Sequence, residues 1–170
     1  MIRNINFLFV TFFGVGTLRY APGTITSFIT TVFLFSLFHV LDFSNNIILA
    51  ILLTIFFFSF FAVASYIKDS SNKDPKEVVI DEVIGQSIPI YLYEMAHGTT
   101  KEFQEAILFY FYIFILFRYF DIKKPFPVSY IDKKFKNCFG VIFDDVLAGF
   151  YVVLTLIIFM VIKSKLFTWI

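Results

Sequence analysis

The chain has 170 residues, of which 59% are hydrophobic and 16% charged, with a formal net charge of +1. Soluble domains carry about 25% charged and roughly 45–50% apolar residues, so composition excludes a soluble enzyme, a disordered segment and a disulfide scaffold. Without a basic excess there is no electrostatic case for a nucleic-acid partner, and Cys138, the single cysteine, forms neither an intrachain disulfide nor a multi-cysteine zinc site. The composition is that of one membrane-embedded domain spanning residues 1–170, and the elements are read in chain order on that basis.

Residues 5–10, behind Arg3, resemble a signal-peptide core, but no small-x-small cleavage site follows closely, so the segment reads as retained. Residues 14–24 (GVGTLRYAPGT) interrupt the apolar run with glycines and Pro22-Gly23. Crossing the hydrocarbon takes about 17–25 apolar residues. Residues 25–41 meet that at the short end, residues 47–67 contain no charge at all, and residues 146–162 form the last clear span. Residues 103–117 carry Glu105 near their start and are otherwise apolar and aromatic. The stretch 83–93 (VIGQSIPIYLY) is shorter and holds Gly85, Gln86 and Pro89, which fits a short or kinked helix or half of a re-entrant hairpin. The predicted fold is an all-α integral membrane helical bundle of four to five apolar helices, one of them short, kinked or re-entrant.

Charge decides the topology between two arrangements. If 83–93 pairs with 103–117, the polar stretches 68–82 and 118–145 share one side with the 14–24 loop. That side then carries eleven of the 14 cations, leaving Lys101, Lys163 and Lys165 for the other. Such an asymmetry places the polar stretches in the cytoplasm by the positive-inside rule.

Nine of the 13 carboxylates fall on this same side. Two adjacent acid pairs, Asp81-Glu82 and Asp144-Asp145, each precede an apolar segment, with Gly85 four residues after Asp81 and Gly149 four after Asp145. Residues four apart share a helix face, and a small residue there lets a second helix approach closely, so the glycines offer a way to bring the pairs together. The plainer reading is that acids at helix starts complement the helix dipole. A third cluster, Arg118 to Pro127 (RYFDIKKPFP), sets Arg118 and Asp121 three apart on one face, and Pro125 disfavours helix at Lys124. Its plainer reading is an interfacial anchor.

Charge balance favours a combined site. A phosphate monoester carries about −1.5 to −2 charges near neutral pH, and bare carboxylates would repel it. A hard divalent ion such as Mg²⁺ on those oxygens reverses the field and activates water, while Arg118 and Lys124 clamp the remaining phosphoryl oxygens. The 14–24 loop can present backbone N–H groups to phosphate before a helix starting near Thr24, although taken alone its glycines signal only a turn. Covalent routes lack candidates: no arginine cradle follows Cys138, His39 and His97 lie away from the acidic clusters, and no Asp-x-Asp-x-Thr pattern occurs. An ion transporter is the rival class, yet no clear span carries a mid-membrane acid. A non-catalytic assembly subunit gives no reason for two acid pairs with matched glycines.

Four blocks in order, GVGTLRYAPGT (14–24), DPKEVVIDEVIG (74–85), FRYFDIKKPFP (117–127) and, after Asp132, GVIFDDVLAG (140–149), resemble the phosphatidylglycerophosphatase A family. The resemblance implies a Mg²⁺-dependent phosphatase that converts the phospholipid phosphatidylglycerophosphate to phosphatidylglycerol and inorganic phosphate. It also implies a multi-pass protein of the bacterial inner membrane whose active site faces the cytoplasm. By motif, Asp81, Glu82, Asp144 and Asp145 look like the metal-binding and water-activating set, with Asp121 joining or orienting it. Arg118, Lys124 and Thr24 look like phosphate-binding groups. Base and ligands are not distinguished by either argument. The chain departs from the family pattern at Asn137-Cys138, where a Gly-Gly pair is common, and at Thr26, often glycine.

Overall fold

Among the residues that the computed structural model describes, 2–68, 75–98 and 102–167, every regular element is helical. Lys73, Asp74 and Lys101 lie outside them, as does the side chain of Arg3. Helix α1 (Ile2–Val10) has nine residues, about 13 Å at 1.5 Å per residue, too short to cross a bilayer. It lies against α3 instead, with Asn6 Nδ2 donating to the Ala62 carbonyl at 3.0 Å. A turn through Gly14 (φ 91°) and a 3₁₀ turn at Val15–Thr17 lead to α2 (Pro22–His39). Proline at the first helical position suits α2, because that N–H has no partner inside a helix.

Helices α3 (Asn45–Ile67), α4 (Ile80–His97), α5 (Phe103–Lys123), α6 (Val128–Lys134) and α7 (Cys138–Phe167) complete the chain. Helices α2, α3 and α7 are long and apolar enough to cross a membrane, with mean hydropathies of 1.2, 2.9 and 2.5. At 18 and 21 residues, α4 and α5 are about 27 and 32 Å long and run beside them. The expectation of four to five apolar helices thus resolves into a five-helix bundle with three thoroughly apolar members. Helix α4 sits at the centre, in contact with α2, α3, α5 and α7, and its polar residues meet protein rather than lipid. That is why its composition falls short of a membrane span.

The 83–93 stretch is neither a separate short element nor a re-entrant turn. It is the middle of α4, which continues through Pro89. Proline removes the donor that would reach the Gly85 carbonyl. That carbonyl lies against α7, where a Cβ at Gly149 would stand 2.5 Å from it. A Cβ at Gly85 would in turn meet the Asp145 carbonyl at 2.6 Å. The two glycines let α4 and α7 cross almost backbone to backbone, the role their spacing suggested.

Apolar side chains on the outward faces, among them Phe57, Leu108, Phe111 and Ile158, are more than half exposed. Against lipid tails, which are as apolar as the side chains themselves, that exposure carries no penalty. The starts of α2, α4 and α7 and the end of α5 gather at one end of the bundle. At the other end His39 Nε2 meets Glu94 Oε1 at 3.1 Å, joining α2 to α4. The polar stretches before α4 and after α5 therefore share one end, as the charge asymmetry indicated.

Candidate active site

The shared end holds a cavity of about 410 Å³ walled by the first turn of α2, residues 75–78, the start of α4, the end of α5 and the first turns of α7. Its lining includes Gly23, Thr24, Lys76, Asp81, Glu82, Arg118, Asp121, Lys124, Asp144 and Asp145. Every site residue picked from the sequence is therefore on one wall or another of a single cavity.

Asp81 and Glu82 occupy the first turn of α4. Asp144 and Asp145 do not open their helix: α7 begins at Cys138, so they stand nearly two turns inside it. The helix-dipole reading fails for that pair, since the dipole effect fades beyond the first turn. Carboxylate oxygens of Asp81, Glu82 and Asp145 lie within 4.8 Å of one another. Three like charges at that spacing in a buried site need a cation or shared protons between them. Each of the three offers a carboxylate oxygen, the donor that a hard divalent ion such as Mg²⁺ takes, so Asp81, Glu82 and Asp145 would hold such an ion together. Glu82 Oε2 is buried and has no hydrogen-bond partner in the protein, as suits an atom reserved for a metal.

Asp144 stands apart from the trio. Its Oδ2 takes Lys124 Nζ at 2.6 Å, and the same ammonium reaches Asp132 Oδ1 at 2.9 Å. Lys124 leaves α5 in a left-handed conformation (φ 43°) just before Pro125, which turns its side chain back toward α6 and α7. Burial disfavours its charge, but Asp144 and then Asp132 outweigh that and push the ammonium pKa above the usual lysine value. Arg118 Nη1 holds Asp121 Oδ2 at 2.8 Å, one turn on, and donates to Ser27 Oγ on α2 at 3.2 Å. Arg118 Nε is buried without a partner, leaving one donor of the guanidinium fork uncommitted.

Thr24 lies in the first turn of α2, where backbone N–H groups have no intrahelical acceptor. A Cβ at Gly23 would overlap Glu82 Oε1 and stand 3.5 Å from Arg118 Nη1, so a side chain there would displace the Glu82 carboxylate. Ser27, Gly23 and Lys76 escaped the sequence reading as site residues, and Asp132 entered it only within a motif block. Ser27 is a hydroxyl in an apolar helix, four residues after Gly23, and that spacing was its available signal. The chain puts a carboxylate trio, an arginine fork and a helix start around one membrane-surface cavity.

A bundle of apolar helices with that cavity at one end fits the class of membrane-embedded phosphatases. More particularly, the chain belongs to the phosphatidylglycerophosphatase A family, whose model matches residues 8–160. Over 41 residues it is 58% identical to phosphatidylglycerophosphatase A of Haemophilus influenzae, a stretch covering 24% of this chain and 25% of that protein. Over 143 residues it is 32% identical to a Bacteroides thetaiotaomicron protein carrying the provisional name phosphatidylinositol-3-phosphatase, covering 82% of this chain and 83% of the relative. No solved structure matches it significantly.

Proposed function

We propose that this protein hydrolyses the phosphate monoester of phosphatidylglycerophosphate, releasing phosphatidylglycerol and inorganic phosphate, with Mg²⁺ held by Asp81, Glu82 and Asp145. The observation that carries the reading is the carboxylate trio beside Arg118 and the start of α2 in one cavity of a chain from this family. A bound Mg²⁺ supplies Lewis-acid polarisation of the phosphoryl group and activation of water. Arg118, with an unused donor, and the Thr24 turn hold the phosphoryl oxygens as charge develops on them. Asp121 orients Arg118 through the ion pair. Lys124 balances Asp144 and Asp132 at the cavity edge and adds positive potential toward the phosphate. Water attacks phosphorus, one of its protons passes to a carboxylate of the cluster, and that carboxylic acid returns the proton to the glycerol oxygen as its bond to phosphorus breaks.

A lipid substrate accords with the surroundings of the site. Two almost wholly apolar grooves, of about 380 and 400 Å³, flank α3 and share Leu52, Val83 and Ser87. Both begin within two turns of Asp81 and are suited to acyl chains. The cation asymmetry across the bundle supports a cytoplasm-facing cavity in the inner membrane. The Bacteroides relative's name favours a second substrate of the same chemistry, a phosphomonoester on an inositol headgroup.

The test is phosphate release by detergent-purified protein from phosphatidylglycerophosphate and from phosphatidylinositol 3-phosphate, with and without Mg²⁺, beside Asp145→Asn. Mg²⁺-dependent release from the first lipid that vanishes in the variant is expected. Release from the inositol lipid alone would transfer the assignment to that substrate, and release from neither by folded wild-type protein would refute the reading.

A further inference from the structure

One turn beneath the carboxylate trio, α4 turns a second polar side chain into the bundle. Gln86 follows Glu82 by four residues, so the two share a helix face. Glu82 lies against Gly23 of α2, and that face of α2 continues by helical spacing through Thr26 and Thr30. Gln86 and Thr26 are fully buried, and Thr30 is 2% exposed. Both amide atoms of Gln86, and both threonine hydroxyls, have no hydrogen-bond partner in the protein. Serines and threonines elsewhere in these helices behave differently: Ser27, Thr31 and Ser87 each donate to the carbonyl four residues back.

Folded proteins rarely leave one buried polar group unpaired, and here four such atoms lie on two helices that pack against each other, on the faces that helical spacing carries down from Gly23 and Glu82. Their chemistry is complementary to water. Gln86 brings two amide hydrogens and a carbonyl, and each threonine a donor with two acceptor sites. A buried water typically makes about three such bonds. Carboxylates that bind metals are in turn fixed by hydrogen bonds from an outer layer of residues, whose loss typically costs about 10–100-fold in metal affinity or activity.

We infer that Gln86, with Thr26 and Thr30, holds ordered water between α2 and α4 directly beneath Glu82, and so acts as a positioning residue for the Glu82 carboxylate. The inference rests on the metal-site reading above and assigns it a supporting layer drawn from within the membrane part of the bundle. Gln86 touches neither substrate nor the reacting atoms. Its function is to keep the Glu82 side chain in the conformation that the trio requires.

Gln86→Met tests this, because methionine keeps the length and volume and removes all hydrogen bonding. The measurements are Mn²⁺ binding by calorimetry and thermal unfolding of the detergent-purified protein with and without that ion. Expected are a loss of about tenfold in Mn²⁺ affinity, a smaller metal-induced rise in melting temperature, and an apo melting temperature equal to or above wild type. A merely structural glutamine would lower the apo melting temperature and leave ion affinity unchanged, which would overturn the inference. Thr30→Val is expected to weaken Mn²⁺ in the same direction by a smaller factor. Wild-type protein that binds no Mn²⁺ would overturn the metal-site reading and this inference together. Wild-type binding matched by Gln86→Met would overturn this inference alone.

Discussion

Gly85→Ala separates the geometry of the site from its chemistry, because it removes no functional group and changes only the spacing of the helices that carry them. The added Cβ would lie 2.6 Å from the Asp145 carbonyl oxygen and 2.8 Å from the Phe117 ring, where ordinary contact begins at 3.4 Å. Phe117 is fully buried and has little room to turn. The helices must therefore part by roughly 0.8 Å, the difference between 2.6 and 3.4 Å. Overpacking of this kind costs about 1–3 kcal/mol, and up to about 1 kcal/mol is regained because alanine favours helix over glycine. The protein should therefore still fold. The same displacement moves Asp145 away from Asp81 and Glu82, whose oxygens must close on an ion with bonds of about 2.1 Å and near-octahedral demands. A misplacement near 1 Å can cost about 10²-fold in rate. Phosphate release under Mg²⁺ titration, with melting followed by circular dichroism, is the assay, and Leu108→Ala on the lipid-facing surface of α5 is the control. Wild-type turnover in folded Gly85→Ala would refute the claim that close α4–α7 contact sets the trio.

Two further predictions concern groups that the sequence placed but could not pair. Lys124 has its pKa raised by Asp144 and Asp132 against the effect of burial. A base raised on folding stabilises the fold below its unfolded value, about 10.4, and loses that contribution only as pH climbs through the higher folded value. Stability supplied by Lys124 should thus hold from pH 8 to pH 9, where Lys124→Met should cost about 1.5–3 kcal/mol. Denaturation midpoints across pH measure this, and a Lys124→Met cost that fades between pH 8 and pH 9 would contradict the pairing. At the far end, His39→Ala leaves the Glu94 carboxylate, 1% exposed, without its partner. Leaving a buried hydrogen-bonding group without its partner costs about 1–3 kcal/mol, so the melting temperature should fall while turnover below it stays at wild-type level. A loss of activity without a loss of stability would show that this end of the bundle takes part in the reaction.

The number of long segments and the common end of the polar stretches were legible because both follow from side-chain transfer energies summed over windows. Boundaries were less so. The sequence reading starts the last span at residue 146, since Asp144-Asp145 breaks the apolar run, yet α7 begins at Cys138. The signal was present: Asn137 Oδ1 accepts the Gly140 N–H at 3.1 Å, an N-cap bond to the third helical residue. In the sequence Asn137 stood out only as a departure from the family pattern. Helix α5 likewise runs past residue 117, because the Arg118–Asp121 pair closes within one turn and does not interrupt it. Its end at Lys123 agrees with the constraint that Pro125 places on the residue before it.

The central helix was the hardest to read, and the reason is physical rather than statistical. Hydropathy measures the cost of facing lipid, and α4 faces protein on nearly every side. Gly85, Gln86 and Pro89 therefore look like breakers in a window scan while each answers to a neighbour. Gly85 admits α7, and Pro89 frees the very carbonyl that Gly149 packs against. Gln86, fully buried one turn below the acids, keeps its polar atoms inside the bundle. A weak span signal flanked by strong ones, with its acids at one end, is what a helix enclosed by its own bundle produces. The low hydropathy of residues 83–93 thus belongs to the same design as the site, because the helix that presents Asp81 and Glu82 must be the one surrounded by the others.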